Sequence, residues 1–319
     1  MIKTLKGTTA QGIQNAVMEA RHNLGAASGM VFTLVVVADL HDFDDVMDAS
    51  VMAGREHPSR IIVVTNGTAR ADRLDAEIHL GEDVPGEIIA LRFQGELARH
   101  RESVVLPLLL PDSPVVVWWP GSSPESLADD PLGRLAKRRI SDAMGARSPL
   151  AALRIRAANI TPGDTDLTWT RLTPWRALLS ASLDQYPEPV TSARVAAARD
   201  NAAGLLLAAW LRARLRCPVE FVESEGPGIT QVEMDTAHGP IRIARTDGRM
   251  ATYETPRTPQ RLVALRRRSI NQLITEELRR IDADDVFQEA VQALLRHFEE
   301  TEGAEQAEAL ERSGRKQVE

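Results

Sequence analysis

VFTLVVV (31–37) sets the architecture of the first half of the chain, because it is apolar at every position except one threonine. A strand has this composition when helices cover both faces of its sheet, since neither face then meets water. IIVVT (61–65) and PVVVWWP (114–120) repeat the pattern. A helix is predicted between the first two strands, over 44–56. Strands that alternate with helices indicate right-handed crossovers and a largely parallel sheet.

Trp118 and Trp119 end the third of these strands. Adjacent strand residues point to opposite faces, so one tryptophan should pack under each helical layer. Both residues also lie at the carboxyl edge of the sheet, where open α/β sheets bind ligands. Tryptophan is frequent at interface hot spots. We therefore consider both as partner-binding or domain-seam residues, with simple core filling as the alternative.

Shorter patterns complete the first domain. Alternating residues over 74–93 indicate two strands that form a hairpin at one edge of the sheet. Helical spacing predicts a helix over 131–144, and alternation with arginines predicts a strand over 153–157. We expect an α/β domain over 1–163, with a largely parallel sheet flanked by helices.

The second half of the chain has a different pattern. A helix is followed by five short strands between residues 219 and 265, and Asp247-Gly248 is a strong two-residue hairpin signal. We expect an α+β domain over 164–302, with an antiparallel meander and terminal helices. Residues 303–319 are rich in Glu, Ala and Gln and are expected to form a frayed or disordered tail.

Composition narrows the class of protein. A length of 319 residues favours two domains, and 43% hydrophobic with 26% charged residues is typical of a globular protein. The net charge of −7 argues against general nucleic-acid binding, which needs a cationic surface. Cys217 is the only cysteine, which excludes an internal disulfide and a cysteine zinc cage. No apolar run suits a membrane span or a signal peptide, so we expect a cytoplasmic protein.

GDTDLTWTRLTPWRALL (163–179) has the most unusual composition in the chain. Its first part is a polar loop after a Pro-Gly turn signal, and its second part begins a helix at Thr173-Pro174. Tryptophan and arginine most often carry interface energy. We predict that the following residues contact a partner or form the seam between two domains: Asp164, Asp166, Trp169, Arg171, Trp175 and Arg176.

Asp164 and Asp166 also raise the hypothesis of a divalent cation site, because carboxylates two residues apart in an extended loop can converge on one ion. The alternative is that both aspartates cap turns or pair with Arg171 or Arg176, as loop aspartates commonly do through local bonds. We favour the alternative and expect neither a metal nor a cofactor.

A basic cluster falls on the helix predicted over 131–144. Arginine forks match oxyanions in a bidentate geometry, so an acidic partner or a phosphate could bind there. The alternative is a solvated face, or pairing with Asp129, Asp130 and Asp142. The cluster comprises Arg134, Lys137, Arg138 and Arg139, of which Arg138 and Arg139 are the predicted contact or seam residues.

Catalytic motifs do not occur in the sequence. It contains no Walker A loop, no G-x-G-x-x-G after a strand, no H-E-x-x-H and no G-x-S-x-G. The leading hypothesis is therefore a non-catalytic interaction protein. The alternative is an enzyme or sensor that binds a sugar phosphate or nucleotide at the carboxyl edge of the first sheet, through Arg60, Arg138 or Arg139.

Several blocks in order resemble the glucose-6-phosphate dehydrogenase assembly protein family, OpcA. Each block has low specificity, but their co-occurrence in this order, with two tryptophan-rich motifs, is highly specific. The resemblance runs from about residue 55 to 290. The blocks are HPSRIIVV (57–64), PVVVWWPG (114–121), DPLGRLAKRRISDA (130–143), GDTDLTWTRLTPWRALL (163–179) and EELRRIDADDVF (276–287).

The resemblance implies a non-catalytic bacterial protein that binds glucose-6-phosphate dehydrogenase and promotes its active state. It also implies two domains that meet near the block at 163–179. Cysteines are thought to give redox control in some members, but Cys217 alone cannot form an internal disulfide switch. The oligomeric state of the chain is left open.

Overall fold

The computed structural model describes residues 1–24, 29–81, 86–245 and 247–315. It forms a mixed α/β protein, which confirms the predicted fold class. None of the helices in this described part is both long and apolar enough to cross a membrane.

Strands and helices alternate through much of the first half of the chain, and strands cluster in the second. The strands are β1 (Ile2–Leu5), β2 (Thr33–Ala38), β3 (Arg60–Asn66), β4 (Arg73–His79), β5 (Glu87–Gln94), β6 (Val115–Trp118), β7 (Arg138–Ser141), β8 (Asp164–Asp166), β9 (Val190–Ala197), β10 (Val219–Glu223), β11 (Ile229–Thr236), β12 (Gly239–Ala244), β13 (Met250–Thr255) and β14 (Thr258–Ala264). The α-helices are α1 (Ala10–Leu24), α2 (Phe43–Glu56), α3 (Arg101–Val105), α4 (Pro149–Ala158), α5 (Leu167–Arg171), α6 (Thr173–Gln185), α7 (Ala202–Leu215), α8 (Ile270–Glu277) and α9 (Asp285–Arg315).

The chain divides into two compact units. Unit 1 comprises 1–147, 161–170 and 268–283, and unit 2 comprises 148–160, 171–267 and 284–319. The predicted boundary at residue 163 stays a prediction. Helix α9 continues to Arg315, into the range predicted as a tail, and residues 316–319 lie outside the described residues.

Unit 1 is built on an eight-stranded sheet in the order β1-β4-β5-β3-β2-β6-β7-β8. The strands from β5 to β8 in this order are parallel, whereas β4 and β1 are antiparallel additions at one edge. This arrangement confirms the parallel sheet and the edge hairpin. The chain moves outward from β2 in one direction and later in the other, as in doubly wound folds. The switch point therefore lies between β2 and β6.

Trp118 and Trp119 pack on opposite faces of this sheet, as the alternation predicts. Trp118 lies in the core that holds α2 and α8, and Trp119 lies in the core beneath α1 and α3. Both side chains are at most 2% exposed. The two apolar layers explain why the central strands are apolar on both faces.

The predicted helix over 131–144 is wrong. Gly133–Leu135 form a single 3-10 turn, and Arg138–Ser141 form strand β7. Strand β7 pairs in parallel with β6 on one side and β8 on the other, so its backbone hydrogen bonds are made across the sheet. The apolar residues of this segment have helical spacing, which led to the wrong prediction. The backbone N–H and C=O groups that a helix would pair internally are paired with neighbouring strands instead. Asp164–Asp166, predicted as a loop, are the partner strand β8.

The predicted strand over 153–157 is also wrong, because this segment lies within helix α4. Leu153, Arg156 and Ala157 are its buried residues, and their spacing of three and four positions is helical. Pro149 occupies the first turn, where its missing N–H is not needed. The alternation of arginine with apolar residues therefore reflected composition and not a sheet face.

Unit 2 is built on a six-stranded sheet in the order β10-β9-β11-β12-β13-β14. The predicted meander is confirmed for β11 to β14, which pair antiparallel. Strand β10 instead pairs in parallel with β9, because α7 crosses over between them. Helix α7 contacts β9, β10, α4 and α9, which explains why it is apolar nearly all round.

Candidate functional site

Arg139 and Asp164 face each other on neighbouring strands β7 and β8 of unit 1. Arg139 Nε donates to Asp164 Oδ1 at 2.5 Å, and Arg139 Nη2 donates to the Pro162 carbonyl at 2.6 Å. The other oxygen of Asp164 accepts from the Thr161 N–H and hydroxyl, both at 2.9 Å. Arg139 and Asp164 are thus a buried pair whose hydrogen-bonding groups serve the turn before β8.

Arg138, one residue earlier, points to the opposite face of the sheet and joins strand β7 to helix α8. Its Nη2 donates to Glu277 Oε1 at 2.5 Å, and its Nη1 donates to the Asp282 carbonyl at 2.6 Å. Glu277 also accepts from the Thr170 hydroxyl at 2.6 Å. These contacts hold the segment 268–283 on unit 1, although it comes late in the sequence.

Asp166 has a capping role at the start of α5. Its carboxylate accepts from the Ser141 hydroxyl at 2.6 Å, from the Ala143 N–H at 3.0 Å and from the Thr168 N–H at 2.8 Å. These donors occupy the oxygen atoms that a cation would need. Asp164, on the same face of the sheet, is engaged with Arg139 and Thr161. Asp166 thus caps a turn, as the favoured alternative proposed, but the arginine that pairs with Asp164 is Arg139 and not the predicted Arg171 or Arg176.

Among the described residues, the group of ligand atoms close enough for one metal ion is a different one. It comprises Asp39, His41 and Asp42, whose ligand atoms lie within 4.8 Å of one another. Neither Asp164 nor Asp166 belongs to it.

This acidic group follows β2, at the switch point of the sheet. A dinucleotide-binding fold presents glycine backbone amides there to hold a pyrophosphate. In this chain Asp39 and Asp42 are followed by Asp44 and Asp45 in the first turn of α2. A Cβ on Gly121, beyond β6, would lie 3.7 Å from Asp42 Oδ2, so Asp42 faces the other side of the switch point. Carboxylates at this edge repel an anionic ligand.

The arginines of the alternative hypothesis do not lie at the carboxyl edge. Arg60 begins β3, and Arg138 and Arg139 begin β7, so all three are at the amino ends of their strands. Arg60 Nε donates to the buried Glu87 at 2.9 Å. Burial lowers the pKa of Arg60, and the attraction of Glu87 opposes this shift. The three guanidinium groups therefore serve internal ion pairs.

The tryptophans of the 163–179 block are buried. Trp169 and Trp175 are each 2% exposed. In unit 2 the guanidinium of Arg245 lies over the Trp175 ring, 5.1 Å from its centroid. Burial, with repulsion from Arg267, lowers the pKa of Arg245 to about 10. The roles of Trp169 and Trp175 as partner-binding or domain-seam residues stay predictions.

Arg171 and Arg176 are the predicted contact or seam residues of this block that reach the surface, since both are half-buried. Arg176 and Arg214 line a groove in unit 2 with a volume of about 490 Å³. The groove also contains Trp210, and its remaining lining is largely apolar. These other residues are Thr173, Ala177, Leu179, Ser180, Leu183, Leu211, Leu215 and Val286.

Two glycines of the sequence blocks are required by the backbone around strands β7 and β8. Gly163 has φ +91°, and a Cβ there would lie 2.6 Å from the Lys137 carbonyl. A Cβ on Gly133 would lie 1.8 Å from the Leu127 carbonyl. Only glycine fits such close approaches. The blocks therefore reflect, in part, how tightly the chain packs at this edge of the sheet.

Glu277 and Asp42 were missed by the sequence analysis. Glu277 lies in the block EELRRIDADDVF, but nothing local marks it as the partner of an arginine 139 positions earlier. Asp42 belongs to an acid-rich turn directly after a buried strand. That position was the available signal, because turns at the carboxyl ends of parallel strands meet at one edge.

The fold and these contacts define a two-unit α/β protein whose arginine–carboxylate pairs are structural. The family described as glucose-6-phosphate dehydrogenase subunit, N-terminal domain, matches residues 50–158, and its C-terminal domain matches residues 162–291. The chain belongs to this family, OpcA, the glucose-6-phosphate dehydrogenase assembly proteins. This confirms the resemblance. No curated protein matches the chain in a sequence comparison.

Three solved structures that match the chain are distant from it in sequence. A 3-ketoreductase from Actinomadura kijaniata is 8% identical, with a TM-score of 0.44 over 83% of this chain and 95% of that chain. An oxidoreductase from Sinorhizobium meliloti is 9% identical, with a TM-score of 0.38 over 86% and 90%. An NAD-binding oxidoreductase from Klebsiella pneumoniae is 10% identical, with a TM-score of 0.39 over 83% and 94%.

Proposed function

We propose that this protein is a non-catalytic assembly factor and activator of glucose-6-phosphate dehydrogenase in the bacterial cytoplasm. The observation that carries the proposal is the match of both family domains, in order, over residues 50–158 and 162–291. The family description associates its members with the dehydrogenase as a subunit. The partner's identity rests on that match.

Two features of unit 1 support a non-catalytic role. The switch point of its doubly wound sheet carries Asp39 and Asp42, which disfavour a nucleotide phosphate. The arginines best suited to a sugar phosphate, Arg60, Arg138 and Arg139, already neutralise buried carboxylates. An anionic substrate would have to displace these internal partners, which would leave buried charges without compensation.

Activation requires that the protein bind the active form of the dehydrogenase more tightly than the inactive form. To raise the active fraction from about 10% to about 90%, the two affinities must differ by about 80-fold, or about 2.6 kcal/mol. A few interface contacts supply a difference of this size. The mechanism is a population shift, with no chemical step on this chain.

We propose that the groove lined by Arg176 and Arg214 takes part in the contact with the dehydrogenase. Trp210 and the leucines of its lining offer an apolar surface, and the two arginines add cationic groups, of which Arg214 also pairs with the exposed Glu289 at 3.1 Å. Interface hot spots combine tryptophan and arginine in this way. Arg171, the half-buried last residue of helix α5, is proposed as a further contact residue.

The test is to measure the turnover number and substrate KM of purified glucose-6-phosphate dehydrogenase with and without this protein, together with co-elution of the two. We expect higher activity and a stable complex. Arg176→Glu should weaken both, whereas Arg99→Glu, a change at an exposed residue of unit 1, should not. No change in the dehydrogenase and no co-elution would refute the proposed function.

A further inference from the structure

A row of alternating charges crosses the sheet of unit 2. Register places one residue of the row on each of five neighbouring strands, from β10 to β13 in sheet order. Arg194 Nε lies 3.0 Å from Glu220, and Arg242 Nε lies 2.6 Å from Glu233. Arg242 Nη1 lies 3.1 Å from Glu254. The row therefore runs Glu-Arg-Glu-Arg-Glu.

The row lies on the open face of this sheet. Ala193 and Val195, which flank Arg194 in the strand, are buried and point to the other face. Four side chains of the row are 37–64% exposed, whereas Glu233, between its two arginines, is 13% exposed. The charged face thus meets solvent while the opposite face forms the core of unit 2.

A second row of side chains lies two residues further along each strand. These side chains are largely uncharged and small. The members of this row pair in register across all six strands. Leu262 on the edge strand β14 is 68% exposed and is the largest exposed apolar side chain of this row. In sheet order the row comprises Val222, Ala196, Gln231, Ala244, Thr252 and Leu262.

We propose that a second copy of this chain docks face to face on this surface. A two-fold axis parallel to the strands, between β11 and β12, reverses the order of the strands in the partner. Under that operation Glu233 faces Arg242 of the second copy, and Arg194 faces its Glu254. The same operation brings Val222 opposite Leu262. The alternation makes the row complementary to itself, as an isologous interface requires.

Covering these charges is tolerable because each keeps a lateral partner within its own sheet. Arg194 and Arg242 each lie between two glutamates, and Glu233 lies between two arginines. A buried charge is costly when it lacks such partners. These lateral ion pairs therefore reduce the cost of burying the face, and the second copy adds unlike charges across the interface.

The size of the face sets the strength of this dimer. Strands about 4.8 Å apart and roughly 20 Å long give an area on the order of 500 Å² for each copy. The total of about 1,000 Å² is at the lower limit of specific interfaces. The dimer should therefore form and dissociate over the micromolar concentration range.

The proposal is independent of the proposed function, because its test uses this chain alone. Sedimentation equilibrium of the full chain should show a concentration-dependent dimer. Arg194→Glu with Arg242→Glu makes the row wholly acidic, and Glu233→Arg with Glu254→Arg makes it mainly basic. Each double variant should dimerise about tenfold or more weakly, because like charges then face each other.

An equimolar mixture of the acidic and basic variants should restore the dimer as a heterodimer. Arg99→Glu is the control, since it changes an exposed charge of unit 1 and should leave the dimer intact. If the double variants fail to fold by circular dichroism, Leu262→Lys tests the same surface at an exposed residue and should also weaken the dimer.

Three results would overturn the proposal. The first is a wild-type chain that stays monomeric into the high micromolar range. The second is a dimer that neither double variant nor Leu262→Lys weakens. The third is a mixture of the two double variants that gains no heterodimer although each is folded and monomeric.

Discussion

Arg138 and Glu277 form a buried ion pair at 2.5 Å, although 139 residues separate them in the sequence. Removing one member of such a pair leaves an uncompensated charge in the core. We predict that Glu277→Ala lowers the free energy of unfolding by about 3–5 kcal/mol. Urea denaturation measures the change. Glu96→Ala, which breaks the exposed pair with Arg99, is the control and should cost about 0–1 kcal/mol.

Asp166 should be structural and independent of metal. Asparagine keeps one acceptor oxygen but loses the charge that strengthens the bonds from Ser141, Ala143 and Thr168. Asp166→Asn is expected to cost about 1–3 kcal/mol, measured by thermal denaturation. The exposed Asp129→Asn is the control. A fall in the wild-type melting temperature on addition of a chelator would support the metal hypothesis instead.

Trp169→Ala distinguishes a packing role from a direct partner contact. The side chain is 2% exposed, so its removal leaves a cavity. We predict a loss of about 3–5 kcal/mol in stability. Met18→Ala, at an exposed position of α1, should change stability little. An unchanged melting temperature combined with lost binding to the dehydrogenase would identify Trp169 as a contact residue.

His297 in α9 makes stability depend on pH. Burial, with repulsion from Arg212, lowers the pKa of His297 below its ordinary value of about 6.5. The unfolded chain therefore binds a proton before the folded chain does. The contribution of neutral His297 to stability is fully present above the pKa of this histidine in the unfolded chain. It is lost as the pH falls through the pKa of His297 in the folded chain.

His297→Gln should consequently reduce the loss of melting temperature between about pH 7 and pH 5, where unperturbed histidine titrates. The measurement is a series of thermal melts across this range. His100→Gln, at an exposed position, is the matched control. Equal pH dependence of the His297 variant and the wild type would contradict the prediction.

Gly163 should tolerate no side chain. Its φ of +91° and the Lys137 carbonyl, 2.6 Å from the position of a Cβ, both oppose a side chain. We expect Gly163→Ala to cost more than about 1 kcal/mol. Gly303 in helix α9 has open space around it, so Gly303→Ala should be neutral or stabilise by up to about 1 kcal/mol. Chemical denaturation of the two variants compares them directly.

Long apolar patterns were predictable from the sequence. The strands that became β2, β3 and β6 are apolar on both faces, and this can be satisfied only between two layers of helices. The opposite placement of Trp118 and Trp119 follows from the period of two along a strand. Asp247-Gly248 correctly indicated a turn, in which Asp247 accepts from the Arg249 and Met250 N–H groups. The connection is longer than the predicted two residues, because β12 ends at Ala244 and β13 begins at Met250.

Short segments with mixed composition were not predictable. The spacing of apolar residues over 131–144 fits a helix, but strand β7 in this segment pairs with β6 on one side and β8 on the other. The segment 153–157 alternates like a strand, yet its buried positions are helical. Contacts with residues that are distant in sequence decide whether such a segment forms a helix or a strand, and the local pattern does not specify these contacts.

The predicted site residues divide in the same way. Their chemistry was evident from the residue types, since buried aromatic rings, arginine forks and aspartates are recognisable in any sequence. Their partners were not, because Glu277 reaches Arg138 only after the late segment 268–283 returns to unit 1. The sequence therefore determined the layered sheet and the identity of the family. Folding determined which charges neutralise each other, because ion pairs depend on distances in space that chain order does not specify.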